Sequence, residues 1–101
     1  MQTKAKPRKY TGKYGRITYR LNGKLHREDG PAIIEADGSQ IWYLNGKCHR
    51  EEGPAVIQAD GTQEWWLNNT KYSFDNFCKK LKLSEEDIVF LKLKYNTCIV
   101  A

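Results

Sequence analysis

Two clusters bring together side chains that can do chemistry: His26-Arg27-Glu28-Asp29 and His49-Arg50-Glu51-Glu52. An imidazole beside a carboxylate can move a proton, and a guanidinium can hold a phosphate through parallel hydrogen bonds. Such residues could serve a hydrolase or a phosphoryl-transfer enzyme. Against that, the clusters are copies 23 residues apart. A repeat duplicates structural residues automatically, whereas an active site normally exists once. The chain also lacks G-x-S-x-G, P-loop and H-E-x-x-H patterns. The expectation is a protein without catalytic residues, in which His26 and His49 belong to the scaffold.

Cys48, Cys78 and Cys98 stand 30 and 20 residues apart, which matches no zinc or redox motif. A metal site drawn from Cys48, His49 and His26 would lack the close ligand pair that structural zinc sites bring. Neither metal nor cofactor is expected. An odd number of cysteines points to free thiols in a reducing, cytoplasmic compartment. The basic start carries no apolar h-region, and no apolar run approaches the roughly 18 residues that span a bilayer.

The elements that position these clusters follow from the period. Leu21-Asn22 recurs as Leu44-Asn45 and Leu67-Asn68, Gly30-Pro31 as Gly53-Pro54, and Asp37-Gly38 as Asp60-Gly61. Tyr19, Trp42 and Trp65 share one phase. Asn-Gly and Asp-Gly between apolar–polar runs favour two-residue hairpins, because both central residues need positive φ. Gly30 and Gly53 are expected to supply an unusual dihedral to the turn before proline. The predicted product is mainly β with α: an antiparallel meander of 23-residue hairpin repeats over 10–72, capped by two helices over 73–95. A basic arm (1–9) precedes it and an apolar tail (96–101) follows, all in one domain.

The turns predict a register. Tyr43 should pair with Cys48, Trp42 with His49, Tyr19 with His26, Trp65 with Tyr72, Ile33 with Trp42 and Ile34 with Ile41. One face then carries Ile33, Trp42, Leu44 and His49, and the other Ile34, Ile41, Tyr43 and Cys48. Ser73 and Ser84 read as helix N-caps. Phe74, Phe77, Cys78 and Leu81, then Ile88, Leu91 and Tyr95, read as buried stripes. If the helices cover one face only, Ile34, Ile41, Tyr43 and Trp66 form an exposed apolar patch, and such patches mark interaction sites.

Tandem "YLNGKCHREEGPAVIQADG" and "RLNGKLHREDGPAIIEADG" resemble the MORN-related hairpin repeats, in the variant also seen in the YwqK-like antitoxin family. The resemblance covers roughly residues 10–72. It implies a β-hairpin scaffold of a kind associated with binding a protein or a lipid. In the extended "HREDGPA" form it also implies a small accessory factor of phages and large viruses, one that binds or inhibits a host defence protein in the host cytoplasm. The regular His-Arg-acid-acid element departs from the plain MORN pattern, and no membrane partner is expected.

The net charge of +5 is uneven: residues 1–27 hold nine Lys and Arg and no acid. A basic end suits an anionic partner. The alternative function is therefore nucleic-acid or nucleotide binding, through that end and the aromatic residues near Arg20. Candidate binding residues for either function are Arg20, Arg27, Ile34, Ile41, Tyr43, Arg50 and Trp66. Trp42, Trp65, Gly30 and Gly53 are expected to be structural. A homo-oligomer that buries the apolar face is a further alternative.

Overall fold

The computed structural model describes residues 5–95. The predicted tail (96–101) and Cys98 lie outside the described residues. Ten short strands precede two helices: β1 (Arg8–Thr11), β2 (Ile17–Leu21), β3 (Lys24–Leu25), β4 (Ile33–Ile34), β5 (Gln40–Ile41), β6 (Tyr43–Leu44), β7 (Lys47–Cys48), β8 (Val56–Ile57), β9 (Gln63–Leu67), β10 (Thr70–Tyr72), α1 (Phe74–Leu81) and α2 (Glu85–Tyr95). All strand pairs are antiparallel. The first strand starts at Arg8, two residues inside the segment read as an arm.

The two kinds of turn differ. Asn45 (φ 51°) and Gly46 (φ 81°) are both left-handed, so this hairpin has two loop residues. Tyr43 pairs with Cys48 and Leu44 with Lys47, as the turn requires. Asn68 and Asn69 (φ 49° and 70°) adopt the same turn without glycine, because Asn tolerates this region better than most residues. In the Asp-Gly turns only the glycine is left-handed. The amide of Glu35 donates to the Ser39 carbonyl (2.8 Å), and Gln58 does the same to Thr62 (2.8 Å). These loops therefore have three residues, Ala36-Asp37-Gly38 and Ala59-Asp60-Gly61. This is the type I turn with a left-handed third residue.

The extra loop residue corrects the predicted register. Ile33 pairs with Ile41, not Trp42, and Ile34 with Gln40. One cross-strand row now runs Tyr10, Thr18, Ile33, Ile41, Val56, Glu64, and the next, on the opposite face, Thr11, Ile17, Ile34, Gln40, Ile57, Gln63. Ile33 and Ile41 thus share a face, against the expected partition.

Strand order departs from a simple meander too. The larger sheet runs β1-β2-β4-β5-β8-β9-β10, with β3 paired to β2 off this path, while β6 and β7 form a separate pair. The chain divides at Trp42. Its amide donates to the Ala55 carbonyl, next to β8 of the large sheet (2.7 Å), and its carbonyl accepts from the His49 amide, next to β7 of the small one (3.1 Å). Tyr19 makes the same division, its amide on Ala32 (2.8 Å) and its carbonyl on His26 (3.0 Å).

The helices close the C-terminal end. The Ser73 hydroxyl caps α1 by accepting from the Asn76 amide (3.1 Å), and Ser84 caps α2 through Asp87 (3.1 Å). Between them Lys82, left-handed at φ 55°, returns its amide to α1 carbonyls. Phe77, Cys78 and Leu91 are buried with Trp65 and Leu67. Trp65 lies 4.9 Å from the Phe74 ring and 4.8 Å from Phe77, within the range of favourable tilted ring contacts. No described helix is long and apolar enough to cross a membrane.

Candidate functional site: two copies of a His-Arg turn

Each histidine links its own unit to the following one. The Asn45 backbone amide donates to His26 Nδ1 at 2.9 Å, and the Asn68 amide to His49 Nδ1 at 3.0 Å. A backbone amide can only donate, so each Nδ1 is unprotonated and the proton of the neutral ring sits on Nε2. His49 Nε2 faces Glu51 at 3.1 Å, and His26 Nε2 faces Glu28 at 3.5 Å. His26 is buried and His49 nearly so.

The arginines repeat a second set of contacts. Arg27 lies over the Tyr19 ring at 4.0 Å and Arg50 over Trp42 at 3.9 Å. Arg27 donates to the Pro31 carbonyl (3.2 Å) and Arg50 to that of Pro54 (3.1 Å). Arg27 also bonds Asp29 at 3.0 Å. Arg50 has a helical partner instead, donating to the Tyr95 hydroxyl at 3.2 Å. This explains the glycines, for which the expected dihedral does not apply: neither Gly30 nor Gly53 has positive φ. A Cβ on Gly30 would stand 2.9 Å from Arg27 Cζ, and one on Gly53 2.7 Å from the Tyr95 hydroxyl and 3.0 Å from Arg50 Cζ. A side chain at either position would push the guanidinium aside, and at Gly53 it would also press on the Tyr95 ring.

Between the two turns lies an open groove of about 760 Å³, with Trp42, Leu44 and Gln40 in its lining. Glu28, Asp29, Glu51 and Glu52 are all exposed along it. An incoming phosphate would meet these carboxylates, while both guanidiniums already donate to the protein. Cys48 is buried, and desolvation, then the charge of Glu64, pushes its thiol up to about 11. Among the described residues no group of three His, Cys, Asp or Glu is placed to hold a metal ion.

The other candidates do not form the expected patch. Ile34, Ile41, Tyr43 and Trp66 are half-buried, and Trp66 donates its indole N–H to Glu64 at 2.9 Å. Arg20 is exposed, paired with Leu25 on one side and Arg8 on the other. Among the described residues the exposed large apolar ones are instead Tyr10 (48%) and Tyr14 (81%) near the first strand, and Val89 (53%), Phe90 (58%) and Leu93 (79%) on α2. Reading only one stripe of α2 missed them. The signal was the near-continuous run Ile88-Val89-Phe90-Leu91, which puts apolar residues on both sides of a helix. No family model, curated protein or solved structure matches the chain.

Proposed function

We propose that this chain is a non-enzymatic protein-binding module: 23-residue hairpin units capped by two helices, with the outward side of α2 as the contact. The observation that carries this reading is the exposure of Val89, Phe90 and Leu93 on one helix face, since clustered exposed apolar residues mark interaction sites. The non-enzymatic part is supported by the duplicated clusters. Both histidines and both arginines are committed to the same internal bonds in each copy.

The charges along α2 define the occupant. Glu85, Glu86 and Asp87 occupy its first turn and Lys92 and Lys94 its last. The best fit is an amphipathic helix of a partner protein running antiparallel, with its own acidic start beside the lysines and its basic end beside Glu86. The accessory role implied by the hairpin resemblance, binding and inhibiting a host protein, is one such use. In a lysate pull-down with nuclease treatment, a protein band held by the wild type and lost with Leu93→Asp and Phe90→Asp supports the reading. Retention by both variants, or loss on nuclease treatment alone, refutes it. Sedimentation showing a concentration-dependent dimer that Leu93→Asp abolishes would assign the face to a second copy and displace the partner.

A further inference from the structure

We propose that the N-terminal edge of the sheet binds a single strand of nucleic acid. The inference rests on residues far in sequence from α2 and does not depend on that helix. Among the described residues β1 has β2 as its only sheet neighbour, and all four residues of β1 are exposed. The register sets Arg8 directly opposite Arg20 and Tyr10 opposite Thr18. Successive residues alternate between faces, so Arg8, Tyr10 and Arg20 lie on the same side. In the turn that follows β1, Tyr14 is 81% exposed, with the Lys13 ammonium 5.7 Å from its ring centroid.

Like charges directly opposite each other destabilise a strand pair. Among the described residues neither Arg8 nor Arg20 has an acidic partner, whereas Arg16, nearby, bonds Glu35 at 3.0 Å. An edge strand does use basic residues to block pairing with other chains. That accounts for Arg8 or Lys9. It does not account for two exposed tyrosines, which work against such protection. Cations that track a backbone, interleaved with aromatic rings for bases to stack on, are the parts of a single-strand platform.

The open groove between the His-Arg turns is a poorer place for a phosphate because of its carboxylates. The face of Arg8 and Arg20 is its reverse: with Lys13 they stand in a stretch of sequence that has no acid before Glu28, whereas Lys9 faces the other side, opposite Tyr19, where Glu28 and Asp29 line a second hollow.

Binding of the full chain to a labelled thymidine 20-mer, read by fluorescence anisotropy, tests the proposal. Three phosphate contacts, from Arg8, Lys13 and Arg20, at about 0.7 ions each should weaken binding about 20-fold between 50 and 200 mM salt. Arg8→Thr should lower that slope by about 0.7 while its urea midpoint stays level or rises, because a repulsion is removed. The double variant Tyr10→Ser with Tyr14→Ser should bind at least about fivefold more weakly at fixed salt, with the slope unchanged. No binding at 50 mM salt overturns the proposal. So does undiminished binding by the tyrosine variant, or heparin competing equally well against both forms. Either result would describe attraction to any polyanion and not a strand with bases.

Discussion

The strongest claim about the histidines is that an acceptor at Nδ1 matters, and not the ring as such. His26 tests it, being buried with the 2.9 Å bond from the Asn45 amide. His26→Ala removes that bond, worth about 0.5–1.5 kcal/mol. It also removes the contact of Nε2 with Glu28, whose half-exposed carboxylate makes it worth under about 1 kcal/mol. Emptying the space of the ring adds about 1–2 kcal/mol, below the cost of deleting a buried Phe. The sum is about 1.5–4.5 kcal/mol, centred near 3, a large part of the total stability of a small domain. With a urea slope near 1.5 kcal/mol per molar, the midpoint should fall by about 2 M. Two further variants separate the causes. His26→Asn places an amide oxygen where Nδ1 stood and should recover about half of the loss. His26→Phe keeps the volume, orphans the Asn45 amide and should stay close to Ala. If Phe melts like wild type and Asn like Ala, the hydrogen-bond reasoning is refuted and packing explains the residue.

Gly53→Ala should lower the urea midpoint more than Gly30→Ala, because its Cβ meets both the Tyr95 hydroxyl and Arg50 while Gly30 meets only the flexible tip of Arg27; the first should cost about 1–3 kcal/mol and the second less than about 1 kcal/mol. Gly46→Val should cost at least about 1 kcal/mol, since a β-branched residue resists φ of +81°; equal melts would remove the two-residue turn. Peptide mapping after iodoacetamide at pH 8 should find Cys48 unlabelled in native protein and labelled in urea. Its raised thiol also means that stability falls as pH rises from about 9 towards about 11, because the unfolded thiol ionises first. Asp37 is held below the usual carboxylate range chiefly by the Ser39 amide, and Asp60 by the Thr62 hydroxyl and then its amide. Their contribution is complete above the ordinary carboxylate pKa and is lost as pH falls through the lower folded value. Asp37→Asn with Asp60→Asn, which keeps an acceptor, should flatten an acid titration followed by circular dichroism below about pH 4.

Much of the local structure was legible because its causes are local. The Asn-Gly hairpins, the Ser73 and Ser84 caps and the buried stripe of α1 each depend on residues within one turn of chain. The Asp-Gly register was misjudged by one residue because Asp and Asn look alike in a two-residue hairpin. Asp37 and Asp60 instead spend their carboxylates on the Ser39 and Thr62 amides (2.9 Å each), leaving the left-handed position to glycine alone. Strand order was not legible because Tyr19 and Trp42 divide their amide and carbonyl between two neighbours, and no periodicity records that. The role of Gly53 depends on Tyr95, 42 positions away, and a close approach at that distance leaves no trace in spacing.

The bond from Asn45 to His26 crosses a unit boundary, as does the bond from Asn68 to His49. One copy of the motif therefore holds only half of its own fastening. This gives the chain a rule of growth. An inserted segment of 23 residues with the Asn-Gly and His-Arg elements would receive a bond from one neighbour, give one to the other, and leave both ends as they are. An insertion of any other length would put the donor amide out of reach. Tandem duplication can thus lengthen this protein by whole units, and the surfaces at its two ends would be carried apart unchanged, like the jaws of an adjustable gauge.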